Sequence, residues 1–166
     1  MARVPIINGN FRIADTPPFS AYRIYEKSGV KIAVIGLNAS YLPNCFWGRR
    51  MQRFKVEKGS AVVERILPEL IRLQPDMIIL ALYHGWRDRD ERNVNEIRTI
   101  AALFPQIDLI LGGHTHRAIA DMKVGRAWYG QAGCTWRETR THLGNDRSFR
   151  TPSRSHRVGA STCGRL

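Results

Sequence analysis

Three of the chain's five histidines fall between positions 84 and 116, and each stands where a buried strand is expected to end. Gly112-Gly113-His114-Thr115-His116 follows the apolar run Ile107-Asp108-Leu109-Ile110-Leu111, and His84-Gly85 follows Met77-Ile78-Ile79-Leu80-Ala81-Leu82-Tyr83. A neutral imidazole offers a nitrogen lone pair to Zn, Mn or Fe, and residue type alone does not choose among these ions. Two imidazoles at i, i+2 in a loop can reach one point or two adjacent points. A single such histidine reads equally well as a structural or surface residue, whereas three at adjacent strand ends have the donor set of a metal centre.

The surrounding elements decide whether they meet. Each apolar run is short enough for a strand buried on both faces, and the glycines release the chain at its end. Between the runs, Asn93 to Phe104 shows helical periodicity and stops at Pro105. A right-handed crossover of this kind places the carboxyl ends of two parallel strands side by side, so His84 is expected near His114 and His116. Upstream, Ser60 is a candidate N-cap for a helix to about Leu73, with Pro68 expected to kink it or split it in two. Val4 to Asn8 reads as a strand. Phe19 to Glu26 and Val30 to Leu37 read as a hairpin around Lys27-Ser28-Gly29, and short β runs at Ala118 to Ala120 and Arg126 to Gly133 flank a turn at Lys123-Val124-Gly125. Leu42 to Lys58 shows no clear period. Its neighbourhood holds Tyr41, Phe46, Trp47 and Phe54, which could stack on a nucleobase or cover a sheet edge, and Arg49, Arg50 and Arg53, which could meet phosphate or form a solvated loop. Asn38 could face the site or be a satisfied loop amide. Asp88 and Asp90 could assist a metal or complement a helix N-terminus.

The order strand, His84-Gly85, helix, strand, Gly-His-Thr-His resembles the C-terminal half of a calcineurin-like metallophosphoesterase catalytic domain of the 5'-nucleotidase and cyclic-phosphodiesterase type, from about Val4 to Gly133. The resemblance implies a two-sheet α/β sandwich, of which this chain would form part, and two divalent metals sharing a bridging carboxylate. His84 and His114 would then bind one ion and His116 the other, and the substrate would be a phosphate ester or nucleotide. The family's Asp-x-His and Gly-Asn-His-Asp elements do not occur in the sequence; Gly9-Asn10-Phe11 carries Phe where the latter has His. No catalytic or substrate-binding residue is assigned. The expectation is a truncated form with little or no activity alone.

Composition sets the remaining bounds. The 166 residues amount to one domain. No apolar run reaches the length of a membrane span, and the opening residues lack a signal-peptide core, so the chain as written is expected in the cytoplasm, with a periplasmic or secreted intact parent left open. Cys45, Cys134 and Cys163 form no CxxC pair, which argues against a disulfide framework or structural zinc site. From Cys134 to Leu166, seven Arg against Glu138 and Asp146 give a net +5 in 33 residues, out of +12 overall. That tail, residues 134–166, has too few apolar residues to offset chain entropy and is expected to be disordered, leaving residues 1–133 as the partial catalytic domain. A basic nucleic-acid-binding protein and an inactive folded remnant are the alternatives. Oligomeric state is not legible.

Overall fold

The computed structural model describes residues 4–42, 53–89 and 95–133. Phe46, Trp47, Arg49, Arg50, Asp90, the three cysteines and the basic tail lie outside these residues. In chain order the strands are β1 (Phe11–Ile13), β2 (Tyr22–Lys27), β3 (Val30–Leu37), β4 (Phe54–Val56), β5 (Met77–Leu82), β6 (Leu109–Gly112), β7 (Ile119–Val124) and β8 (Ala127–Gln131). The helices are α1 (Gly59–Arg72), between β4 and β5, and α2 (Ile97–Leu103), between β5 and β6. The molecule is mixed α/β with two sheets: a six-stranded sheet in the order β2-β3-β5-β6-β8-β7 and an antiparallel pair, β1 with β4.

Inside the large sheet β3, β5, β6 and β8 run parallel, and the antiparallel strands β2 and β7 form its edges. Residues in register lie on the same face, so Ile35, Leu80, Ile110 and Tyr129 line one side of the sheet. They are fully buried together with Val62, Val63 and Leu70 of α1 and Ile97 and Ile100 of α2. Each such side chain contributes about 1.5–3 kcal/mol of burial free energy before conformational entropy is subtracted. The opposite face, carrying Ile79, Ala81, Leu109, Leu111 and Trp128, is only partly covered: Leu111 is 44% exposed and Trp128 48%. Among the described residues no helix is long and apolar enough to cross a membrane.

Several local expectations change. Ser60 is not the N-cap of α1; Lys58 holds that position without a side-chain cap bond, and the orphan N–H groups of Gly59 and Ser60 are taken by the Glu96 carboxylate at 2.9 and 3.1 Å. Pro68 lies inside one continuous helix, on its exposed side, where solvent can satisfy the carbonyl that loses its partner. The expected strand at Val4 to Asn8 reduces to an isolated bridge from Ile7 to Ser20. The stretch without a clear period contains β4, whose Phe54 stacks on Phe11 at 5.4 Å. Glu57, just beyond β4, binds Arg12 at 2.6 Å and Arg65 at 2.9 Å and so ties the small sheet to α1.

Candidate functional site

His84 sits just past β5 and His114 just past β6, and the backbone joins them: the Gly113 N–H donates to the His84 carbonyl at 3.0 Å, continuing the β5–β6 pairing beyond the last strand residues. The Tyr41 ring packs against both imidazoles, stacked on His84 at 5.5 Å and tilted against His114 at 5.7 Å, while Tyr83 meets His114 edge-on at 5.1 Å. Tyr41 thus lines the site rather than an outer sheet edge.

The two arms are built differently. His84 is buried, 1% exposed, and its Nδ1 accepts the Glu96 N–H at 3.1 Å, so a neutral ring in this orientation carries its proton on Nε2. Glu96 therefore performs two tasks, orienting His84 with its backbone and capping α1 with its carboxylate. In the other arm, Thr115 N–H returns to the Gly113 carbonyl at 2.9 Å, closing a three-residue turn with His114 at φ 74°. This tight form is rare and strained, and His116 follows at φ 54° on an exposed stretch. Burial, then the nearby positive charge of Arg87 and of His116, pushes the His114 imidazole below its usual 6.5.

At Gly85 and Gly112, where the arms touch, no side chain can be added. A Cβ on Gly85 would fall 2.5 Å from Thr115 Cγ2, and one on Gly112 would fall 2.8 Å from the His84 carbonyl oxygen and collide with the Tyr129 phenol. At the rim, Asp88 has both carboxylate oxygens engaged, Oδ2 by Arg117 at 3.0 Å and Oδ1 by the Trp86 indole N–H at 3.1 Å, and these bonds, Arg117's first, hold it below its usual value. Asp88 is an ion-pair partner of Arg117, not a carboxylate turned to the histidines. Arg98 stacks over Trp86 at 4.1 Å. Beside His114, a groove of about 320 Å³ crosses the carboxyl ends of β3, β5 and β6 between Ile7, Gly36, Ala81, Tyr83 and Leu111.

The described residues do not by themselves make a complete two-ion centre. Among those described, no group of three His, Cys, Asp or Glu side chains converges to hold a metal ion, no carboxylate stands with the imidazoles, and His84 already uses its Nδ1 lone pair on Glu96. The structure brings His84 and His114 together and leaves His116 at the exposed margin. Asn38 is engaged through its backbone by the Asn10 side chain: the Asn38 backbone N–H donates to Asn10 Oδ1 at 2.7 Å, and the Asn38 backbone carbonyl accepts from Asn10 Nδ2 at 2.7 Å. The sequence reading missed Glu96, Asn10 and Gln131, the buried polar residues that hold the loops. Only Asn10 carried a signal there, as the glycine-preceded amide of Gly9-Asn10-Phe11.

No protein-family model matches the chain. It is 26% identical over 125 residues to a 5'-nucleotidase of Vibrio cholerae, a match covering 71% of this chain and 23% of that relative. Its fold superposes on the calcineurin-like phosphoesterase YfkN of Bacillus subtilis with a TM-score of 0.63 at 20% identity, covering 78% of this chain and 46% of the other. It superposes on the sulfate thiohydrolase SoxB of Thermus thermophilus with a TM-score of 0.64 at 21% identity, covering 79% of this chain and 23% of the other. The chain thus spans about a quarter of the length of the curated relative it matches. With two sheets, histidines at adjacent strand ends and these likenesses, the chain carries the fold of the calcineurin-like metallophosphoesterases, in a segment similar in sequence to part of a 5'-nucleotidase.

Proposed function

We propose that this chain belongs to the metal-dependent phosphoester hydrolases and contributes the histidine side of such a site, acting on a phosphate ester or nucleotide only poorly when alone. The observation that carries the reading is the pairing of His84 with His114 at the carboxyl ends of neighbouring parallel strands, around Tyr41, on this fold. The similarity to a 5'-nucleotidase supports the choice of phosphate ester over other substrates of the same fold. Among the described residues no carboxylate stands with the imidazoles, which supports the low activity: imidazoles alone provide no negative charge to offset two nearby dications. His84, His114 and His116 are the nitrogen donors in this reading, and Zn, Mn or Fe the ions that suit them.

A turnover assay on a chromogenic phosphate monoester and diester, with Mn, Zn or Fe added, tests it. Expected is weak, chelator-sensitive hydrolysis or none, with metal retained more weakly by His114→Ala than by the parent. Hydrolysis that is unaffected by chelator and by His114→Ala would overturn the assignment. Vigorous chelator-sensitive hydrolysis would overturn the low activity alone.

A further inference from the structure

We propose that Gln131, the last residue of β8, is a positioning residue that locks the arm His84-Gly85-Trp86 to the arm His114-Thr115-His116. The inference rests on reading the two arms as one site, but it concerns their geometry rather than their chemistry. Gln131 is 5% exposed, and its carboxamide is shared among three elements. Oε1 accepts the Trp86 backbone N–H at 2.9 Å and the Tyr129 O–H at 2.6 Å, while Nε2 donates to Thr115 Oγ1 at 2.9 Å. The orientation of the amide follows from its partners: a peptide N–H can only donate, so the atom facing Trp86 is the oxygen, and the nitrogen must face Thr115.

The partners it selects are the telling part. One is two residues beyond His84, and the other is the residue between His114 and His116. Neither bond belongs to a strand ladder, since β6 and β8 pair from Leu109–Trp128 to Gly112–Gln131 without help from this side chain. Both histidines of the second arm have positive φ, a conformation that persists only where the surroundings fix it. Thr115 is held on two sides, by the Gln131 amide and by Gly85, which leaves no room for a Cβ between them. Tyr129 keeps the donor that completes the hub, because burial pushes its phenol up to about 12. A leucine of similar size would keep the packing of β8 and lose every one of these bonds. A glutamate keeps two acceptors for Trp86 and Tyr129, and the Thr115 hydroxyl can turn to donate to it.

The test uses the full chain without metal or substrate and reads two quantities by nuclear magnetic resonance: the imidazole ring shifts of His84, His114 and His116, and the exchange rate of the Trp86 amide. Gln131→Leu should leave the circular dichroism spectrum unchanged, displace or broaden the His114 and His116 ring signals, and speed Trp86 exchange about tenfold or more. Thr115→Val should reproduce the ring effect, the double variant should add little to it, and Gln131→Glu should restore the parent signals. A folded Gln131→Leu with parental ring shifts and Trp86 exchange overturns the proposal. Should that variant fail to fold, Thr115→Val decides, and parental ring shifts in it overturn the proposal equally. Displaced rings in a chain whose hydrolysis is unaffected by chelator and by His114→Ala would uphold the positioning role and count only against the phosphoesterase reading.

Discussion

At Gly112 an added Cβ would strike the Tyr129 phenol and lie 2.8 Å from the His84 carbonyl oxygen, whereas at Gly113 its nearest neighbour would be Tyr83 Cδ2 at 3.6 Å. Two adjacent glycines therefore predict opposite outcomes. Gly112→Ala should destabilise the fold by roughly 3 kcal/mol or more, and Gly113→Ala by no more than about 1, as read from urea midpoints. His114 makes a pH prediction. Its imidazole titrates below 6.5 in the folded chain, so the unfolded chain binds more protons across that interval. Stability is complete above the unfolded value and falls as pH drops through 6.5 toward the folded one. His114→Asn, which tolerates positive φ, should flatten this slope when unfolding midpoints are compared from about pH 5 to 8, and an equal slope in both proteins would refute the assignment. The imidazoles were legible in the sequence because strand periodicity predicts where a strand ends. Glu96 and Gln131 were not, because their partners lie 36 or 37 residues away for Glu96 and 45 for Gln131 toward Trp86, with no local pattern to announce them.

Among the elements, β3, β5 and the β2–β3 hairpin could be read from apolar content and a glycine turn, and they occur with Ser28 and Gly29 both at positive φ. β1 and β4 could not, since three residues carry too little pattern and their pairing spans more than forty positions. Pro68 does not split the helix in two. Its local cost is real, but the burial of Val62, Val63, Ile66, Leu67 and Leu70 on one side of α1 outweighs it and keeps the helix whole. Pro68→Ala should accordingly raise stability by about 1–3 kcal/mol, the regained helix energy less the freedom returned to the unfolded chain. A thermal melt showing no gain would mean that the helix bends to accommodate proline at no cost. The small sheet depends on Glu57, whose carboxylate Arg12 holds below its usual value against burial, with Arg65 assisting. Glu57→Gln should cost about 1 kcal/mol at neutral pH and progressively less as pH falls below 4.5 through the folded value, where the parent loses the same charge.

The whole molecule has an asymmetric sheet: one face is closed by α1 and α2, and the other leaves Tyr83, Leu111 and Trp128 nearly half exposed. Parallel strands are ordinarily covered on both sides, so this face should bind a hydrophobic dye in the native state. Leu111→Ser should weaken the dye signal while leaving the melting temperature nearly unchanged, in contrast to Leu80→Ser, which opens the core and should unfold the chain. An unaltered dye signal in Leu111→Ser would place the binding elsewhere. The same face ties the fold to its surroundings through mass action. Whatever settles on it binds the folded chain and not the unfolded one, adding about 2.7 kcal/mol to apparent stability at a free concentration a hundred times its dissociation constant. How firmly these residues stay folded is then set by the composition of the solution as well as by their own contacts.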